Sequence, residues 1–164
     1  MTAFPTTMED TVENRIPDIQ EHVPEITQIG GVLVKAAGNG SLPRATASLV
    51  YLRAGQIVGS TYQVLRHSAD LRKAGESEER ITAVATWWDA SCFTEAEQAA
   101  LALTEAVFQP NTQGHERVPD DLFAEVAKHY DEKALATLSV VVASAGFWMS
   151  VALMLKPPPV GQPA

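Results

Sequence analysis

The chain has 164 residues, 46% of them apolar and 20% charged, and a net charge of −8. That is the composition of one folded domain with a real core. The acidic balance excludes a protein built to meet nucleic-acid phosphates or an anionic membrane surface, which need clustered Lys and Arg. Arg66, Arg72 and Lys73 form the one tight basic group, and Asp70 lies among them.

Residues 1–22 are polar and rich in Pro, Thr and Glu, and read as an N-terminal arm. Their start lacks the basic-then-apolar pattern of a signal peptide. A single domain over 23–156 is expected to follow. Pro24 to Ala37 has helical spacing, and Gly38-Asn39-Gly40 stops it. Pro43 opens RATASLVYLRAGQIV, where Leu49, Val50, Leu52, Ala54 and Ile57 predict broad burial. Gly59 interrupts as a candidate cap, Ser60 to Ala74 continues as a new helix, and Gly75 suits a left-handed C-cap.

Ser77 with Glu78 and Glu79 starts the next helix, which carries Ile81, Val84, Ala85 and Trp88. Cys92 is the one cysteine, so no intrachain disulfide, thiolate zinc site or dithiol redox centre can form. It reads as an inert, buried or half-buried thiol, in keeping with a reducing cytoplasm. Thr94-Glu95-Ala96-Glu97 is a capping box, and Pro110 ends the helix it launches. A polar loop over 110–118 precedes a short helix from Pro119 to about Tyr130.

Asp131 caps a last helix whose uncharged run, Ala134 to Leu155, has the length to cross a bilayer. Thr137, Ser139, Ser144, Gly146 and Ser150 dilute it, and Asp131 and Glu132 stand where a positive cluster would flank a span. The run therefore predicts a helix buried all round, in a helical core or between subunits. Pro157-Pro158-Pro159 ends it, and 157–164 reads as a Pro-rich disordered tail. No strand pattern or repeat is present. The expectation is all-α, six or seven helices, homo-oligomeric.

Ser60, Gln63, Val64 and His67 recur at i, i+3, i+4 and i+7 and so share one helix face. Three of the four are polar. Ser60 and His67 are about 10 Å apart along the axis, too far for a direct hydrogen bond. Gln63 and His67 are one turn apart and can meet. Free amides at the helix start favour an anion there.

The block LVYLRAGQIVGSTYQVLRHSADLRKAGESEERITAVATWWDASCFTEAEQAALALTEAV resembles the core of the carboxymuconolactone decarboxylase / AhpD-like alkylhydroperoxidase superfamily. VPDDLFAEVAKHYDEKAL and the last helix with Trp148 extend the likeness over roughly 24–156. The resemblance implies a compact all-helical fold assembled as trimers or hexamers, with active sites near subunit contacts. It also implies a glutamate, a Cys-x-x-Cys and a histidine in peroxidase members. Here those positions hold Ser48, Ser60 with Gln63, and His67. Tyr62, Val58, Trp88, Met149 and Ser150 stand where relatives carry other polar or basic groups.

Peroxide reduction by this family needs a thiolate and a resolving thiol. A hydroxyl and an amide cannot cycle through a sulfenic acid or disulfide, so AhpD-type peroxidase activity is excluded. The decarboxylase branch uses proton transfer without metal or organic cofactor, and none is expected here.

The catalytic candidates are His67 as general acid/base, Gln63 as its orienter, and Ser60 and Tyr62 as carboxylate or oxyanion donors. Ser48, Val58, Trp88 and Met149 are substrate-binding candidates, the apolar ones favouring a larger, more apolar ligand, aromatic or polyketide-like. The partner implied is a small-molecule substrate. A catalytically silent relative that binds a hydrophobic ligand, or serves as an assembly subunit, is the other reading.

Trp87, Trp88 and Trp148 suit core or subunit contacts. Met149 and Met154 suit core filling, and Glu95, Glu97 and Glu105 a solvated face. His22, His115 and His129 are too dispersed to suggest a metal site.

Overall fold

Helix starts and stops follow local turn chemistry in the computed structural model, which describes residues 14–110 and 114–158. The expectations for residues 1–13, 111–113 and 159–164 lie outside the described residues. The helices are α1 (Ile19–His22), α2 (Glu25–Ala37), α3 (Arg44–Val58), α4 (Thr61–Lys73), α5 (Glu78–Ala83), α6 (Glu95–Phe108), α7 (Asp120–Ala127) and α8 (Glu132–Leu155). A 3-10 turn, Val84–Asp89, links α5 to α6. The fold is all-helical; α1 lies inside the stretch expected as an arm.

The capping box forms in full. Glu97 N donates to Thr94 Oγ1 at 3.2 Å, and Thr94 N donates to Glu97 Oε2 at 2.9 Å. Asp131 caps α8 by accepting from Ala134 N at 2.8 Å. Gly59 ends α3 with φ 75°, so it is the C-cap of α3, and Ser60 takes the N-cap position of α4. No side chain is crowded out at Gly59, so only its backbone requires glycine. Gly59→Ala is expected to cost about 1–2 kcal/mol for the left-handed conformation, read by urea denaturation; unchanged stability would contradict that.

The helix begun at Ser77 does not run on through Trp88. Thr86 breaks it with φ −131° and ψ 40°. Val84, Thr86, Trp87 and Trp88 are poor helix formers, and Trp87 Nε1 is drawn to Glu105 Oε1 at 2.8 Å.

Helix α3 occupies the centre and packs on α4, α6 and α8. Leu49, Val50, Leu52 and Ala54 are fully buried, facing different neighbours. Leu49 and Leu52 meet Leu71, Ile81, Val84, Phe93 and Leu101, while Val50 meets Leu103, Leu138 and Val141. Each fully buried leucine contributes roughly 1.5–3 kcal/mol.

Glu97 and Glu105 do not form a solvated face. Arg53 Nε donates to Glu105 Oε1 at 2.8 Å, and Arg53 Nη2 reaches the same oxygen. Arg80 Nη2 donates to Glu97 Oε1 at 2.6 Å. Burial raises the Glu97 carboxyl, but bonds from Arg80 and Thr94 outweigh it and hold the pKa below the ordinary value. Glu95 is exposed, as expected.

Helix α8 is the one helix among the described residues long and apolar enough to cross a membrane. Within this chain it is a core helix on one side only. Val141, Ala145 and Met149 are buried, whereas Val140, Phe147 and Leu153 are exposed. Met154, expected as core filler, is 60% exposed. The N-terminal segment seals the end of α8: Arg15 N donates to Leu155 O at 2.9 Å and Arg15 Nη1 to Met154 O at 3.1 Å. A cation there also meets the negative end of the helix dipole.

Candidate functional site

Helices α3 and α4 approach closely because Gly55 lacks a side chain. A Cβ there would stand 3.3 Å from Gln63 Cβ and Val64 Cγ2. The contact seats the start of α4 in the protein. Ser60 is 4% exposed, and its hydroxyl makes no capping bond. The first-turn amides of Thr61, Tyr62 and Gln63 therefore receive no help from that side chain, and the dipole leaves this end positive.

Gln63, 3% exposed, does not orient His67. Its Nε2 donates to Trp148 O on α8 at 3.2 Å. Leaving that amide unpaired inside the fold would cost the desolvation of a buried polar group; the bond to Trp148 O avoids that cost, so Gln63 joins α4 to α8 instead.

His67 lies two turns into α4. Its ring stacks on Tyr51 of α3, centroids 4.6 Å apart and planes 15° from parallel. The phenol of Tyr51 is hydrogen-bonded to Ser144 of α8. Ser144 Oγ donates its own proton to Val141 O at 2.9 Å, so the phenol is the donor in the first bond. Burial raises the Tyr51 pKa, opposed by the bond to Ser144.

The Asp70 carboxylate lies 3.3 Å from His67 Nδ1. The contact is one of charge, since the buried Nδ1 has no hydrogen-bond partner. Burial dominates the imidazole and lowers its pKa to about 4; Asp70 pulls upward and Arg66 adds to the lowering. At neutral pH the ring is uncharged. The carboxylate favours the Nδ1–H tautomer, which leaves Nε2 as the basic atom.

The remaining candidates are dispersed. Tyr62 is half-buried and accepts from Arg66 Nη1 at 3.4 Å. Ser48 is half-buried on α3. Met149, 2% exposed, clusters with Ala54 and Ala145, and Val58, Tyr51 and Phe108 flank them. Met149 and Val58 thus belong to the same apolar cluster as Tyr51. Trp88 does not join them. It is 60% exposed and lies over Arg53, whose guanidinium is 5.5 Å from its ring centre. Trp148 packs on α2 at Gly30, where a Cβ would meet its ring at 3.4 Å.

Sequence reasoning missed Tyr51, Asp70 and Ser144. Tyr51 carried a usable signal, because a tyrosine in an otherwise buried helix needs a partner for its hydroxyl. That partner is 93 positions away, beyond any helical period.

A surface cleft lined by Trp87, Glu95, Gln98, Glu125 and His129 shares no residue with this constellation. Its carboxylates are exposed, and a hydrogen bond from Lys128 holds Glu125 below the ordinary carboxylate range. Among the described residues, no three His, Cys, Asp or Glu are arranged to hold a metal ion.

Residues 25–106 match the model of the carboxymuconolactone decarboxylase family. The uncharacterized protein YdfG of Bacillus subtilis (strain 168) is 30% identical over 135 residues, 82% of this chain and 90% of YdfG. The chain belongs to the carboxymuconolactone decarboxylase family. Within that family's fold, the protein is similar to an AhpD-like protein of unknown function, Atu0492 from Agrobacterium tumefaciens. The TM-score is 0.80 at 23% identity, over 92% of this chain and 100% of that one. It is also similar to the debrominase Bmp8, with a TM-score of 0.74 at 18% identity over 87% and 75% of the two chains. A cysteine-to-alanine form of Bmp8, bound to 2,3,4-tribromopyrrole, aligns equally well. At these identities the structural likeness is one of fold.

Proposed function

We propose that the protein is a cofactor-free acid/base enzyme, of decarboxylase, isomerase or cyclase type, acting on a small organic acid or apolar metabolite. One observation carries the reading. His67 is a desolvated, neutral imidazole with Nε2 as its basic atom, on the same helix as a positive N-terminus. A base that is already unprotonated at neutral pH can accept a substrate proton directly. The free amides at the start of α4, with the hydroxyls of Ser60 and Tyr62, suit a carboxylate or a developing enolate. Proton transfer then needs no electron acceptor, and neither Ser60 nor Gln63 can supply a redox cycle.

The apolar cluster of Met149, Ala54 and Ala145 against which Tyr51 and Val58 pack favours an apolar body on a substrate that meets this face. The tribromopyrrole bound by a fold neighbour is a small flat ring of that kind. Exposed Val32, Val34 and Met154 support a homo-oligomer, trimer or hexamer, that covers them. The tie of Gln63 to the Trp148 carbonyl favours the second reading, a silent ligand-binding or assembly member, since it withdraws one polar group from chemistry.

A panel of aromatic and aliphatic carboxylic acids, screened by thermal shift and followed by product analysis, separates the two. The enzyme reading predicts conversion that falls about 100-fold or more in His67→Gln, with binding changed only a few-fold. Binding without conversion, or conversion indifferent to His67→Gln, would overturn it.

A further inference from the structure

We propose that Tyr51 is a positioning residue that sets the proton affinity of His67 through the face of its ring, not through its hydroxyl. The proposal rests on the reading of His67 as the reactive group of this site.

The geometry separates the two parts of the tyrosine. The ring lies flat on the imidazole at 4.6 Å and covers one of its two faces. The hydroxyl points away, into α8, where its proton is given to Ser144 and that of Ser144 to Val141 O. A hydroxyl so engaged has no proton to offer the imidazole. Its part is to pin the ring: Ala54, Ala145 and Met149 pack around Tyr51, and the bond to Ser144 fixes its reach.

Two effects of such a stack oppose each other. An aromatic face attracts an imidazolium and would raise its pKa. Exclusion of water disfavours the charged ring and lowers it. The charged and titratable groups facing His67 are Asp70 and Arg66 on its own helix, with Tyr51 from α3. Asp70 also favours the charged form, yet desolvation is the largest influence and the direction is downward. Tyr51 therefore acts chiefly as a cover.

The test is an NMR titration of the imidazole carbon resonances in the full chain, with His67 assigned by its loss in His67→Gln. Tyr51→Phe keeps the face, and its His67 midpoint is expected to stay within about 0.3 units of the native one. Tyr51→Leu removes the face and is expected to move the midpoint up by about one unit or more, a tenfold gain in proton affinity. Tyr51→Met, whose flexible chain fills irregular space without a flat face, is read in the same way should the leucine variant fail to fold.

An unchanged midpoint in the Leu or Met variant would overturn the proposal, because the cover would then be irrelevant. A shift in Tyr51→Phe as large as in Tyr51→Leu would also overturn it, because the hydroxyl would then be the active part. Turnover separates this from the reading beneath it. Midpoints that move as expected, with a pH–rate profile that does not follow them, uphold the role of Tyr51 and reject His67 as the base.

Discussion

Acidifying the protein from pH 7 to pH 4 is expected to remove about 3 kcal/mol of stability at His67 alone. The folded pKa is lowered to about 4 from an ordinary 6.5. Between those values the unfolded chain binds a proton that the folded chain refuses. The contribution is fully present above pH 6.5, declines as the pH falls through the window, and is gone below the folded pKa. Against a typical total of roughly 5–15 kcal/mol, this is a large share. His67→Gln has no group to titrate and should lack this slope. Urea denaturation of both proteins at pH 7, 5.5 and 4 measures it as the change in their stability difference. Parallel pH dependences would mean that His67 is not desolvated in the fold.

Glu105→Ala is expected to be the most damaging single change at a partly buried charge. Its carboxylate holds Arg53 through two nitrogens and also accepts from Trp87 Nε1. Both side chains of the ion pair are largely shielded, at 10% and 16% exposure. Removing one partner strands a guanidinium whose remaining acceptors are Gln56 Oε1 and Ala85 O. Breaking such a pair typically costs about 3–5 kcal/mol. Replacing both members, as in Arg53→Met with Glu105→Leu, leaves no orphan charge and should cost less than Glu105→Ala alone. A loss under about 1 kcal/mol for Glu105→Ala would place the pair in the class of solvated surface bridges.

The parts of the fold legible in the sequence are those encoded within a few residues. Thr94 with Glu97, Asp131 before α8, and Gly59 and Gly75 after their helices are local signals, and each marks a helix end. Contacts between distant helices carry no such signature. Arg53 meets Glu105 across 52 positions, so the carboxylates of α6 looked like an ordinary wet face. Gln63 looked free to face His67 because helical spacing permits it; a carbonyl 85 positions away takes it instead. The site was half legible for the same reason. The shared face of Ser60, Gln63 and His67 follows from their spacing on α4. The Tyr51 cover and its anchor at Ser144 come from α3 and α8, where only packing brings them together.

The function proposed for this site moves protons rather than electrons. Hydroperoxide consumption by the purified protein with a dithiol reductant tests that claim most directly, with Ser60→Ala and Cys92→Ser variants alongside. The expected result is no turnover above the reductant's own background in any of the three. Sustained turnover by the native chain, lost in either variant, would contradict it.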